Sequence, residues 1–322
     1  MAPDHHGCSP GVRSYALRPA IRRPALETAS FTRRELEELV SVIATEVVRQ
    51  IKPRGTPNSA ALIPSGAGPK SASVEQEAVA GYPRHPGPAV VEAGGIRLTD
   101  DVRALAGLMD HTLLRPEASR AQIEKLSEEA LQMGFATVCV NPTWVPLVAE
   151  KLRGSKVRVA TVIGFPFGAT STTAKRREAQ AAILEGAHEL DMVMNIGAMK
   201  SGELERVEVD IRGVTEVCQT SGSRLKVIIE TGYLTEQEKV SACQIVARAG
   251  PDFVKTSTGF GPSGATEADV RLMRQTVGKS VGVKAAGGIR TLNDALRMLQ
   301  AGATRLGTSA SVSILAEAAA LA

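Results

Sequence analysis

Two lysines sit near the ends of consecutive short β-branched runs, Lys255 in Asp252-Phe-Val-Lys-Thr-Ser-Thr258 and Lys284 in Val281-Gly-Val-Lys-Ala-Ala-Gly-Gly288, and each run leads into a glycine-rich turn. An ammonium buried in a strand is costly unless it is paired or has a task. If both strands belong to one parallel barrel, the two amines point inward at the same end and lie close together. Desolvation and like charge then pull a lysine pKa from about 10.4 toward ~7–8, where a neutral amine attacks a carbonyl, a displacement worth roughly 4 kcal/mol. The chemistry these two residues point to is Schiff-base formation.

Positioning two strand lysines in this way requires a repeated parallel architecture, and the pattern from Ile96 onward supplies one. Apolar runs near 107–112, 135–140, 157–164, 188–194, 225–231, 252–257, 281–287 and 304–308 alternate with helical segments such as Thr172–Glu185 and Glu267–Val277. Eight βα units predict an α/β TIM (β/α)8 barrel over residues 96–322. A doubly wound open sheet needs fewer strands or a second domain.

Residues 1–95 have a different composition. Eleven of the seventeen prolines fall there, amid Gly, Ser and Ala, and such a stretch buries too little apolar surface to fold alone. The expectation is a largely disordered extension with one helical island. Thr32-Arg-Arg-Glu35 reads as a capping box, after which Leu36, Leu39, Val40, Ile43, Val47 and Ile51 recur at helical spacing until Lys52-Pro53. This predicts an amphipathic helix at 35–51, about 25 Å long. The stretch from Gly55 to Pro88 has the composition of a flexible tether.

Several function classes are disfavoured by composition. A formal charge of +4 with 3% aromatic residues provides neither the field nor the stacking platform of a nucleic-acid binder. No apolar run approaches the ~20 residues of a membrane span. Cys8, Cys139, Cys218 and Cys243 lack CxxC spacing, which fits a reducing cytosol. No H-E-x-x-H, Walker A or EF-hand pattern occurs, so neither a metal nor another cofactor is expected. Gly259-Phe-Gly261-Pro-Ser-Gly264 matches G-x-G-x-x-G. The acidic residue that a dinucleotide site places about 20 residues on is absent from Val281–Gly288.

Barrel chemistry gathers at the C-terminal ends of strands. Asp110 closes the first run, Cys139 and Asn141 the second, Asp191 lies within the fourth, and Glu230, Lys255 and Lys284 end the fifth, sixth and seventh. Alternation turns Asp191 inward, toward the lysines. Lys226 sits early in its run and is expected at the bottom of the barrel as a structural residue. Cys139 reads as a small core residue rather than a nucleophile, with His111 and His188 only loosely placed as partners. Asp191, Lys255 and Lys284 also admit a bland reading as a buried ion-pair network, but stability is weak justification for one. Asp110 is open between a functional group and a simple pairing group. Gly287-Gly288-Ile-Arg290-Thr opens the helix after the seventh run and Gly307-Thr308-Ser309 follows the eighth, where barrels bind phosphate on backbone N–H groups.

Across residues 105–315 the sequence resembles the DeoC family of class I deoxyribose-phosphate aldolases. The resemblance rests on Leu108-Met-Asp-His-Thr-Leu-Leu114, Val138-Cys-Val-Asn-Pro142, Glu189-Leu-Asp-Met-Val193, Lys226-Val-Ile-Ile-Glu-Thr231, Phe253-Val-Lys-Thr-Ser-Thr-Gly259 and Val283-Lys-Ala-Ala-Gly-Gly-Ile-Arg290. It implies that Lys255 forms the Schiff base, Lys284 depresses its pKa, and Asp191 acts as acid/base group through a water. Asp110 would hold Lys284 or the substrate hydroxyls, and Thr258, Gly259, Gly287, Gly288, Gly307 and Ser309 would bind the substrate phosphate. The implied reaction is reversible cleavage of 2-deoxy-D-ribose 5-phosphate to acetaldehyde and D-glyceraldehyde 3-phosphate by a homo-oligomer. Other phosphate-binding barrel aldolases, an isomerase, or a scaffold with a vestigial barrel are the competing readings.

Three positions depart from relatives. Phe260 stands where some members place a phosphate-facing lysine, Ala310 replaces a serine beside Ser309, and the chain ends at Ala322 without the C-terminal tyrosine of some relatives. Weaker phosphate affinity, and proton transfer leaning on water and Asp191, are expected. The 35–51 helix on its tether resembles the encapsulation peptides of bacterial microcompartment cargo and implies a shell-protein partner, with containment of acetaldehyde as the chemical purpose. A helix docked on its own barrel and a transit peptide are alternatives.

Overall fold

The computed structural model describes residues 91–93 and 96–321. The expected helix at 35–51 and its tether lie outside these residues. Two short strands, β1 (Val91–Ala93) and β2 (Ile96–Leu98), pair antiparallel as a hairpin. This hairpin spans the boundary drawn at residue 95. Helix α1 (Asp100–Ala106) follows, capped by the Thr99 side chain.

Eight βα units come next. They run β3 (Met109–Leu113), α2 (Arg120–Met133), β4 (Thr137–Val140), α3 (Val145–Lys151), β5 (Arg158–Ile163), α4 (Thr172–Leu184), β6 (Glu189–Val193), α5 (Ile196–Lys200) and α6 (Leu204–Ser221). The second half comprises β7 (Arg224–Ile228), α7 (Glu236–Ala249), β8 (Phe253–Lys255), α8 (Glu267–Val277), β9 (Gly282–Ala286), α9 (Leu292–Gln300), β10 (Arg305–Thr308) and α10 (Ser311–Leu321). Each of β3 to β10 pairs parallel with the next, and β10 pairs with β3, closing a TIM barrel.

Local sequence explains where the helices begin. Ser119 with Gln122, Thr235 with Glu238, and Thr291 with Asp294 form reciprocal capping boxes at α2, α7 and α9, each cap worth about 1 kcal/mol. Strand side chains alternate between two environments. Val138, Val140, Leu190, Met192, Leu225, Val227, Val254 and Val283 are buried in the apolar layer beneath the helices. The other face carries a small apolar cluster of Leu114, Cys139, Ala160 and Val162 and a charged one: Asp110, Glu189, Asp191, Lys226, Lys255, Lys284 and Arg305 are all buried.

Candidate active site

Register explains how these seven groups meet. Lys255 and Lys284 are Cα partners on β8 and β9, and Lys284 is in turn the partner of Arg305 on β10. Asp191 is the partner of Lys226 across β6 and β7, while Ile228, two residues further along β7, faces Lys255. Lys226 is thus rooted one inward layer below Lys255.

Asp191 is the hub. Its Oδ2 accepts from Lys255 Nζ at 2.7 Å and Lys284 Nζ at 2.6 Å, and its Oδ1 accepts from Lys226 Nζ at 2.8 Å. Lys284 also donates to Asp110 Oδ2 at 2.5 Å. Below them Arg305 donates to Asp110 Oδ1 at 2.7 Å and Glu189 Oε2 at 3.1 Å, and Lys226 lies 2.7 Å from Glu189 Oε2. The buried cluster therefore holds four cationic groups against three carboxylates. Loss of one proton balances it.

The surroundings select which proton leaves. Lys284 has two carboxylates at hydrogen-bond distance and Lys226 has two, and both are held above the ordinary lysine value despite burial, by Asp110 and Asp191 for the first and by Asp191, Glu189 and Asp110 for the second. Lys255 has one. Burial pulls its pKa down, the Asp191 carboxylate only partly offsets that, and the Lys284 ammonium adds to the lowering. The carboxylates respond in the opposite sense. The three lysines hold Asp191 well below the carboxylate range, and Lys284, Arg305 and Lys226 hold Asp110 below it, both against the cost of burial.

Access separates Lys255 from its neighbours as well. An open cleft of about 780 Å³ at the C-terminal ends of the strands is lined by Lys255 but by neither Lys284 nor Lys226. A further buried lysine with a lowered pKa, Lys175 on α4, lies between barrel and helices, where Asp210 Oδ2 at 2.5 Å and the Val193 carbonyl at 2.9 Å enclose it. It does not line the cleft.

The same cleft is lined by Thr258, Gly259, Gly287, Gly288, Gly307 and Ser309. The turn after β8 packs directly on the turn after β9: Ala265 N–H donates to the carbonyls of Ala286 and Gly287, and a Cβ on Gly264 would fall 2.3 Å from the Gly287 oxygen. Only glycine allows that approach. Gly307 borders the cleft, but its bare backbone also serves the charged cluster, since a Cβ there would lie 2.9 Å from Lys284 Cε. Phe260 is half exposed and packs edge-on against Phe165, with centroids 5.4 Å apart. Ala310 is partly buried at the start of α10.

Cys139 faces this interior, packed with Leu114, Ala160 and Val162, and burial pushes its thiol up to about 11. It stays protonated at neutral pH. His111 points the other way, with Nε2 on Glu129 Oε2 at 2.8 Å and its ring against Phe135. His188 immediately precedes β6, at the opposite end of the barrel, its Nδ1 accepting from Val159 N–H. Neither histidine reaches Cys139.

Two expectations need correction. Lys226 is not apart from the site at the barrel floor, because a lysine side chain is long enough to reach Asp191 from the layer below. Glu230 does not end the fifth barrel strand: β7 stops at Ile228, and Glu230 lies beyond it with φ 52°. Glu189 and Arg305 join the cluster with no site role expected of them, although both share the inward parity of Asp191 and Gly307 on their strands. Arg290 lines the cleft beside Gly288, and among the described residues its guanidinium has no ion-pair partner.

The model of the DeoC/LacD family of aldolases matches residues 104–315. This chain belongs to that family. A deoxyribose-phosphate aldolase of Streptococcus pneumoniae serotype 19F (strain G54) is 59% identical over 208 residues, 64% of this chain and 93% of the relative. The enzyme of that name from Geobacillus sp. (strain WCH70) is 56% identical over 211 residues, 66% of this chain and 94% of the relative. Among solved structures, the tetrameric deoxyribose phosphate aldolase from Aeropyrum pernix superposes with a TM-score of 0.64 at 32% identity, covering 69% of this chain and 93% of that one. The protein is therefore a lyase of the aldolase kind.

Proposed function

We propose that the protein is a class I aldolase that reversibly cleaves 2-deoxy-D-ribose 5-phosphate to acetaldehyde and D-glyceraldehyde 3-phosphate. One observation carries the reading: Lys255 is the cation of the buried cluster that opens on the cleft, and it is the one whose surroundings favour the free amine. The neutral amine adds to C1 of the open-chain sugar, and loss of water with uptake of one proton from solvent gives a protonated imine on Lys255. The C3 hydroxyl then gives up its proton, assisted by Asp191 through a water, and the C2–C3 bond breaks with its electron pair drawn into the imine. Glyceraldehyde 3-phosphate leaves. The enamine that remains takes a proton at C2, and hydrolysis of the resulting imine releases acetaldehyde and restores Lys255.

In this scheme Asp110 anchors Lys284, so that Lys284 keeps its charge and keeps Lys255 from keeping its own. Thr258, Gly259, Gly287, Gly288, Gly307 and Ser309 form the phosphate end of the cleft, with Arg290 as its cation. The relatives' names and the tetramer of the Aeropyrum pernix enzyme support the substrate and a homo-oligomer. Packaging in a microcompartment through residues 35–51 rests on the sequence pattern alone. Deletion of residues 1–90 tests it: an unchanged enzyme that no longer co-sediments with shells supports packaging, and collapse of the barrel supports docking instead.

The test of the chemistry is mass spectrometry after incubation with acetaldehyde and borohydride, beside a Lys255→Met control. A two-carbon ethyl adduct on Lys255, absent from the control, is expected. No adduct on the folded protein would sink the catalytic assignment.

A further inference from the structure

Among the described residues, Glu230 is the only one other than glycine with a left-handed backbone, at φ 52°. Side chains with a Cβ seldom adopt that conformation, and where it persists the surroundings must enforce it. Here the enforcement runs through the side chain, which is 1% exposed. Glu230 Oε2 accepts the backbone N–H of Thr258 at 3.1 Å and also the Thr258 hydroxyl. The hydroxyl oxygen in turn accepts the N–H of Phe260 at 3.0 Å. From the opposite side the chain closes on the same group, since a Cβ on Gly261 would lie 2.7–3.0 Å from the Glu230 carboxyl atoms. Oε1 is buried with no hydrogen-bond partner.

A buried acid with one oxygen unsatisfied is an expensive way to brace a turn. The turn it braces is not neutral ground. Thr258, Gly259 and Phe260 line the cleft that Lys255 opens on, opposite Gly287 and Gly288. We propose that Glu230 is a positioning residue for the phosphate end of the substrate: by clamping Thr258 it fixes the Thr258–Gly261 turn against the cleft and sets anion affinity there, apart from the amine chemistry of Lys255. This inference rests on the aldolase reading for the identity of the substrate, but not for its readout.

The experiment compares Glu230→Ala, Glu230→Gln and Gly261→Ala with wild type. Turnover is measured on 2-deoxyribose 5-phosphate and on unphosphorylated 2-deoxyribose, and inorganic phosphate binding is measured by calorimetry. Glu230→Ala is expected to raise KM for the phosphate ester tenfold or more, to weaken phosphate binding by a similar factor, and to cost at least fivefold less on the unphosphorylated sugar. Glu230→Gln, whose amide oxygen still accepts both Thr258 donors, should stay within threefold of wild type. Gly261→Ala leaves every hydrogen-bonding partner in place and should move phosphate binding in the same direction as Glu230→Ala, which keeps the question open to measurement if the latter does not fold. Equal losses on both sugars, or phosphate binding unchanged in the folded variants, would overturn the proposal. Because calorimetry reads phosphate without turnover, a failed trap on Lys255 would remove the aldolase reading alone.

Discussion

Lys255 and Lys284 stand side by side on β8 and β9 and donate to the same oxygen, Asp191 Oδ2, at 2.7 and 2.6 Å. Their pKa values nevertheless move in opposite directions, because Lys284 has Asp110 as a second carboxylate and Lys255 has none. In the proposed mechanism the pair divides the work: one ammonium is fixed so that its neighbour can be an amine.

The first prediction concerns that division. The rate of borohydride trapping should rise with pH on an inflection below the ordinary lysine value of about 10.4, since the neutral amine is the reactive form. Lys284→Met removes a cation from the cluster and leaves three against three, so Lys255 keeps its proton and the inflection moves up. A rise of about two pH units corresponds to a ~100-fold loss at neutral pH. A pH–rate profile of both proteins checks it, and an inflection that stays in place in Lys284→Met would show that Lys284 does not tune its neighbour.

The hub carboxylate bears on stability as well. Asp191→Asn leaves the Lys226 and Lys284 ammonium groups, with Lys255 beside them, around a neutral amide, and removal of one partner from a buried ionic cluster typically costs about 3–5 kcal/mol. Urea unfolding is expected to show that loss. Replacement of an exposed partner, as in Glu203→Gln opposite Arg206, should change the midpoint by far less, because surface pairs contribute little.

Much of this arrangement was legible because the barrel is built from repeated local signals. Glu267–Val277 is a helix over the span its pattern indicates, and period-two alternation turned Asp191 inward. What the pattern could not supply was reach. Alternation assigns Lys226 to the inner face but does not say that four methylenes carry its amine to Asp191, nor that Gly307 is bare to give Lys284 room. Glu230 was hidden for a different reason. A β-branched run ending in a carboxylate reads as strand to its last residue, while the left-handed turn at Glu230 is imposed by Thr258 and Gly261, nearly thirty residues away in the chain.

Gly307 gives a prediction that separates its two neighbours. Gly307→Ala would place a methyl 2.9 Å from Lys284 Cε and 3.1 Å from Ala286 Cβ. Overpacking of this kind costs about 1–3 kcal/mol. Displacing Lys284 should also raise the trapping inflection of Lys255, whereas a role confined to phosphate would raise KM for the phosphate ester and leave the inflection unmoved. The two measurements on one variant decide between them.

At the proposed phosphate end of the cleft, Arg290 has no ion-pair partner among the described residues, and Phe260 stands at the edge where a lysine would add a second charge. Arg290→Ala should raise KM for the phosphate ester about 10- to 100-fold, the range of a charge-assisted hydrogen bond worth ~1.5–3 kcal/mol. Phe260→Lys brings an ammonium to the cleft edge in place of a ring whose only described aromatic partner is Phe165. It should lower KM several-fold at low salt, and the gain should shrink as ionic strength rises. Steady-state kinetics at two salt concentrations checks both.

Acid stability follows from the directions of the same groups. Asp110, Glu189 and Asp191 all have folded values below their unfolded ones, and Lys226 contributes to the lowering of each. A depressed carboxylate stabilises the fold above its unfolded value of about 4, and that stabilisation is lost as pH falls through the folded value. Lys255 has the same slope for another reason: its folded value is also depressed, so stability rises with pH between the folded value and about 10.4. Lys226, Lys284 and Arg305 are raised, and their contribution is lost only at the alkaline extreme. The urea midpoint is therefore expected to fall steeply as pH drops below about 4. In Lys226→Met the fall should be shallower and start from a lower midpoint, because the carboxylates then have less to lose on protonation. A midpoint independent of pH between 3 and 7 would contradict the charged state of the cluster on which the chemistry of Lys255 depends.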